Sequence, residues 1–219
     1  MFRQVQQVFN KRGYLLAATL FFSQGVLGEN IDLVIQDQHG QPLKDAIVEL
    51  YKATKSERTT LPVAVMDQVH KAFLPDLLVV LKGQQVNFPN SDNIRHHVYS
   101  FSQAKPFQLK LYSGQPKEPV IFDQQGVVVL GCNIHDSMVG YIYVANSEHV
   151  YKTNNTGKLT LDITPLPTTL SVWHALQTAP LENKKMITIN NNNELLIKVN
   201  TSTPAPRNTF GSKFKGGND

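Results

Sequence analysis

From residue 30 onward the chain is a succession of short apolar runs broken by turn residues, with no apolar stripe at the helical period. Ile31, Leu33, Val34 and Ile35 make the first run, Gln36-Asp-Gln-His-Gly40 follows as a turn signal, and residues 46–51 make the second. Residues 52–60 are polar and read as a connector. A dense series then predicts strands at 62–66, 77–81, 84–88, 96–101, 107–112, 119–122, 126–131 and 139–144. So many strands in so short a span predict an antiparallel sandwich or barrel. Three more follow at 158–162, 169–173 and 195–199, with a turn at 190–193. The tail from Thr201 is rich in Pro, Gly, Ser and Lys and predicts disorder. The class is all-β.

The N-terminus changes the picture of where the chain works. Arg3, Lys11 and Arg12 precede an apolar stretch over 14–22, small or apolar residues lead to Gly28, and no acidic residue occurs before Glu29. That three-part plan predicts a secretory signal peptide over residues 1–28, cleaved after Gly28, and a periplasmic mature chain. The apolar stretch is shorter than the ~20 residues of a membrane span, and no later segment is long and apolar enough. Cleavage also changes the charge. Removing three basic residues from 21 leaves 18 against 17 acidic ones, so the mature chain is near neutral. No clustered basic patch marks a nucleic-acid partner.

Composition narrows the chemistry further. One cysteine in 219 residues excludes a disulfide framework, a CxxC redox pair and a cysteine-rich zinc or iron–sulfur site. That cysteine lies in Gly131-Cys-Asn-Ile-His-Asp-Ser-Met-Val-Gly140, where Cys132, His135 and Met138 are spaced C-x2-H-x2-M between two predicted strands. A thiolate, an imidazole and a thioether on one short loop can converge on one ion. Soft sulfur with imidazole favours copper, and two His, one Cys and a weak axial Met form the blue-copper donor set. The second histidine must come from elsewhere, and only His96 and His97 have strand context, after Phe88-Pro-Asn-Ser-Asp-Asn-Ile-Arg95.

At these residues the sequence resembles the cupredoxins (plastocyanin, pseudoazurin, amicyanin), in which a histidine after an Asn-bearing turn meets a Cys…His…Met loop. The spacing of Cys132, His135 and Met138 is similar to amicyanin's short loop. Pro75, the Lys82-Gly83 turn, Val86-Asn-Phe88 and Asn90 also match, and the resemblance covers about residues 62–145. The resemblance implies a Greek-key β-sandwich holding one type 1 copper ion through His96, Cys132, His135 and Met138. Strand alternation by itself favours His97, which shares a face with Tyr99 and Phe101. The gapless match of Asn90 and His96-His-Val98 to the family pattern favours His96. His97 then stands where the family has Asn, and His97 and Asn90 are expected to support the site by hydrogen bonding. The whole chain further resembles exported cupredoxin-like proteins labelled methylamine-utilisation proteins, a label that states no activity.

The flanks carry a second resemblance. Residues 37–48, with Gly40 and Pro42, resemble the opening of carboxypeptidase-regulatory or transthyretin-like sandwiches. Residues 152–161, with Ser171-Val-Trp-His174, resemble their closing half. The expected organisation is a signal peptide (1–28), a first part of a small β-sandwich (29–60), an inserted cupredoxin domain (61–146), the second part of the sandwich (147–200) and a tail (201–219). The functional expectation is a periplasmic carrier of single electrons and not an enzyme. Its partner would be a transient redox protein, and the cupredoxin resemblance implies that it meets the edge near His135 where Ile134 and Val139 flank the ligand. The alternatives are a non-redox copper chaperone or an interaction module with a vestigial site. A Cys-His protease is disfavoured because His135 sits on the same tight loop as the thiol. Multicopper oxidase chemistry lacks its His-x-His pairs. His39, His70, His149 and His174 are isolated and read as surface or packed residues, and Asp67, Asp92, Asp123 and Asp136 show no paired-carboxylate spacing.

Overall fold

The computed structural model describes residues 30–51, 61–162, 166, 168–191 and 194–202. The expected signal peptide, the 52–60 connector and the tail beyond residue 202 lie outside the described residues. β1 (Asn30–Gln36) and β2 (Ile47–Tyr51) open the structure. The middle of the chain forms β3 (Ala64–Val65), β4 (Asp67–Val69), β5 (Ala72–Leu74), β6 (Leu77–Leu81), β7 (Gln84–Asn87), β8 (His96–Ser100), β9 (Phe107–Tyr112), β10 (Val120–Phe122), β11 (Gly126–Cys132) and β12 (His135–Ala145). Then come β13 (Val150–Lys152), β14 (Lys158–Asp162), β15 (Thr168–Trp173), β16 (Lys185–Ile189) and β17 (Leu195–Lys198). The described residues contain no helix, and therefore none long and apolar enough to cross a membrane.

The strands make two sandwiches. Sheets β14-β1-β17 and β13-β2-β15-β16 enclose a core that includes Ile31, Leu33, Val48, Leu50, Leu170 and Val172. Sheets β6-β12-β11-β8-β9 and β10-β7-β3 enclose a second core with Phe73, Phe88, Phe122, Leu130, Met138 and Ile142. Alternation along single strands then joins the two. On β12, Met138, Ile142 and Val144 enter the second core, while Tyr143 and Ala145 point to the opposite face. There they meet Ile47 of β2 and Trp173 of β15, whose neighbours Val48 and Val172 fill the first core. A third apolar layer thus binds the sandwiches back to back.

Several details differ from the sequence expectation. Three of the sheets are mixed: β6 runs parallel to β12, β3 to β7 and β1 to β17. Parallel neighbours need long connections, and these pairs have them, since β7–β11 intervene between β6 and β12, and most of the chain intervenes between β1 and β17. A hairpin, β4–β5, and the strands β13 and β16 were not foreseen. At the end of the described residues the Thr201 N–H donates to Gln38 Oε1 and the Ser202 N–H donates to the Leu176 carbonyl.

Candidate metal centre

The Cys132–Met138 stretch is not one open loop. β11 and β12 pair in register from Gly126↔Val144 to Gly131↔Val139, and Cys132 then pairs with His135. Asn133 and Ile134 make a two-residue turn, and Asp136, Ser137 and Met138 bulge from the ladder between the two registers. A bulge of this kind re-aims side chains at a sheet rim. Here it turns Met138 into the core beside Cys132, both almost fully buried. The Asn133 N–H donates to the His97 carbonyl at 3.2 Å, which ties the turn to β8.

β8 delivers the second histidine. Residues 96, 98 and 100 face inward and 97 and 99 are half-buried, so the inner face carries His96, Val98 and Ser100. The alternation argument for His97 is reversed, because Tyr99 and Phe101 are an outer aromatic pair, 5.1 Å apart, with Phe101 87% exposed. Tyr99 lies against Gly131, where an added Cβ would sit 2.7 Å from the Tyr99 ring. His96 is fully buried. Its Nδ1 is 3.5 Å from Cys132 Sγ, and His135 Nδ1 is 3.6 Å from the same sulfur. The three donor atoms lie within 4.8 Å of one another. Donors at bond lengths of ~2.0–2.3 Å around a tetrahedral or trigonal ion stand roughly 3.5–3.8 Å apart, so these residues fit a single ion of the kind that takes thiolate and imidazole.

His97 makes its hydrogen bond to the turn through its backbone and not through its ring. Its backbone carbonyl holds the turn, while its Nε2 is buried without a partner and its ring packs edge-on to Tyr99 at 6.2 Å. Asn90 is buried and organises the segment leading to His96. Its Nδ2 donates to the Ile94 and Tyr112 carbonyls, each at 2.9 Å, and its Oδ1 accepts from the Asp92 N–H. Below this segment the Tyr112 hydroxyl donates to the Phe88 carbonyl, and burial pushes its pKa up to about 12.

Sequence reasoning passed over Asp92. Its Oδ2 lies 2.8 Å from His96 Nε2, Oδ1 accepts from the His70 N–H at 2.6 Å, and Oδ2 also accepts from the Lys71 N–H at 2.9 Å. Desolvation works to raise its pKa, but the Lys71 N–H, His96 and the His70 N–H outweigh it and hold the carboxyl below its ordinary value. His135 is held below the usual imidazole value, first by desolvation and then by the charges of His96 and Lys71. Of the four expected ligands only His135 is partly exposed, beside Ile134, which is 51% exposed, and half-buried Val139. An open groove of about 540 Å³ that reaches Cys132 and Val139 is lined also by Tyr99, Phe101, Asp136, Met138 and Glu182.

No family model matches the chain, and no curated protein matches it. Solved structures similar to it include a purple cupredoxin from Nitrosopumilus maritimus, at 20% identity over 37% of this chain and 99% of that one, TM-score 0.34. A mutant amicyanin in its reduced Cu(I) form is 18% identical over 44% of this chain and 97% of its own, TM-score 0.34. A copper-containing nitrite reductase from Thermus scotoductus SA-01 is 22% identical over 52% of this chain and 28% of its own, TM-score 0.37. With identity this low and coverage this partial, the functional reading rests on the donor set itself.

Proposed function

We propose that the chain is an exported type 1 copper protein that carries single electrons between redox partners in the periplasm. The observation that carries this reading is the convergence of one thiol sulfur and two imidazole nitrogens, at 3.5 and 3.6 Å from the sulfur. Copper held there would supply a Cu(II)/Cu(I) couple tuned by the thioether and by hydrogen bonds around the sulfur. The chain's own contribution is rigidity. Cys132 is paired on both sides, with Val98 of β8 and with His135 of β12, so the sulfur is fixed by two ladders. His96 is held through both ring nitrogens. With three of the four expected ligands buried, exchange of electrons is favoured over access of a substrate.

The half-buried edge of His135, between Ile134 and Val139, is the proposed exit toward a transient partner, for which a small interface of under ~1,200 Å² suffices. The test is to add Cu(II) to the purified protein. An intense visible absorption that bleaches with a reductant, returns on reoxidation and is absent from Cys132→Ser supports the reading. Binding of copper with no such band, or a band that survives Cys132→Ser, overturns it. Tight Cu(I) binding with ready release to an acceptor protein would point to copper delivery instead.

A further inference from the structure

The hairpin that the sequence did not reveal lies against the segment leading to His96. The Asp67 carboxylate accepts from the Ser91 hydroxyl at 2.7 Å and the Ser91 N–H at 3.2 Å. Gln68, wholly buried, donates its N–H to the Pro89 carbonyl, and its Nε2 reaches the Phe88 and Pro89 carbonyls and the Tyr112 hydroxyl. On the other strand Phe73 sits over Gly140 of β12, where a Cβ would come within 2.9 Å of its ring. The hairpin is thereby clamped between the loop before His96 and the strand that carries His135.

Its tip is strained in a particular way. His70 and Lys71 both have positive φ, 52° and 59°. Two successive residues of that kind are the requirement of a type I′ turn, where Asn-Gly is the favoured pair. Non-glycine residues persist in that region only where their surroundings over-determine them, and such positions cluster at functional sites. What over-determines this turn is Asp92, whose two carboxylate oxygens take the His70 and Lys71 N–H groups. The oxygen bonded to Lys71 also faces His96 Nε2 at 2.8 Å. A carboxylate whose only use was to staple the two loops would not need to meet a wholly buried imidazole.

We propose that Asp92 is the positioning residue of the metal centre: anchored by the His70–Lys71 turn, its carboxylate keeps the His96 proton on Nε2 and the Nδ1 lone pair toward Cys132, and biases a bound copper ion toward its oxidised state. The last clause rests on the copper reading above. An ionised carboxylate only accepts hydrogen bonds, so Nε2 must be the donor. Carboxylate partners of this kind fix the tautomer and ring orientation of a ligating histidine and raise its basicity. A negative charge one imidazole away from the ion favours the higher charge state.

Two measurements separate this proposal from the copper reading. In the copper-free wild-type protein, long-range ¹H–¹⁵N correlation of the imidazoles should show His96 protonated at Nε2. The Nδ1-protonated form, or a mixture, overturns the proposal even if the protein turns blue with copper. With copper bound, Asp92→Asn should weaken Cu(II) binding about 10–100-fold while leaving Cu(I) binding within about twofold. For a one-electron couple that ratio raises the midpoint potential by roughly 60–120 mV. The exposed carboxylate Asp123, paired with Lys105, supplies the control, and Asp123→Asn should leave the potential in place. An unmoved potential in a blue Asp92→Asn protein overturns the proposal and leaves the copper reading intact. A wild-type protein that binds no copper but shows the Nε2 tautomer overturns the copper reading and leaves the positioning of His96 standing. If Asp92→Asn fails to fold, the wild-type tautomer decides.

Discussion

Adjacent histidines on a strand point to opposite faces, so a single residue step separates a donor from a bystander. His96 is wholly buried with both ring nitrogens engaged, whereas His97 has a buried Nε2 with no partner. His96→Ala is therefore expected to abolish the copper absorption and to cost about 1–3 kcal/mol, because it leaves the Asp92 carboxylate without one of its donors. His97→Ala removes a group that makes no bond at Nε2 and should keep the normal spectrum, with stability within about 1 kcal/mol of wild type. Parallel copper titrations and urea unfolding of the two variants check both. The motif around Cys132 was legible because its three donors lie within one contiguous seven-residue stretch. Asp92 was not, because its partners are His96 and two backbone N–H groups from a hairpin some twenty residues earlier. The four-residue step from Asp92 to His96 marks no site by itself, and no local spacing records the contact with the hairpin.

Elements were legible where they were long enough to show a period. The all-β class and the strands with four or more inward-facing or paired residues, such as β1, β11 and β12, follow from apolar runs that a sheet must bury. β4 and β5 are three residues each, and their turn is His-Lys in place of the Asn-Gly that announces such a hairpin. β16 has one buried residue, Ile189, and exposes Met186, so it carries no alternating signature. The hairpin nonetheless braces the candidate metal centre, and Gly140 is where it seats. Gly140→Ala should push against the Phe73 ring at its root, where no flexible side-chain end can yield, and cost about 1–3 kcal/mol. Each kcal/mol lowers the melting temperature of a chain this size by about 2–4 °C, and calorimetry reads it.

β15 carries a pH-sensitive support of its own. Beyond its end, His174 is buried with Nε2 donating to the Lys44 carbonyl at 3.1 Å and Nδ1 accepting from the Leu176 N–H at 3.2 Å. Desolvation lowers its pKa, opposed more weakly by the Lys44 carbonyl and Asp45. A histidine whose folded value lies below the unfolded ~6.5 contributes stability that is complete above the unfolded value. That contribution is lost as pH falls through the folded one. Urea midpoints measured from pH 7.5 to 5 should fall in wild type, and His174→Gln should lose less over the same interval.

At the scale of the whole molecule, the two sandwiches are joined by more than an apolar layer. Glu49 points from β2 into the contact and is wholly buried. Its Oε2 accepts from Lys184 Nζ and the Tyr143 hydroxyl, each at 2.8 Å, and its Oε1 from the Asn146 and Ser147 N–H groups at 2.6 and 2.8 Å. Tyr143 and Asn146 belong to β12 and the residue just past its end, so the strand that bears His135 and Met138 at one end is locked to the small sandwich at the other. Desolvation works to raise the Glu49 pKa, but Lys184, Tyr143 and the Ser147 N–H outweigh it, and the carboxyl lies below its usual value. The same burial, with the charge of Glu49, pushes the Tyr143 hydroxyl up. A carboxyl lowered by folding contributes stability above its unfolded value, lost as pH drops through the folded one. Glu49→Ala leaves a mostly buried ammonium, the Tyr143 hydroxyl and the Asn146 and Ser147 N–H groups without this acceptor, and breaking such a pair costs about 3–5 kcal/mol. Because that loss falls on the contact and not on either core, thermal unfolding should change from one transition in the wild type to two in Glu49→Ala. If the variant unfolds in one transition at the wild-type temperature, Glu49 does not couple the sandwiches. If two transitions appear and copper loading raises only one of them, the metal centre stabilises its own sandwich alone once the Glu49 lock is gone.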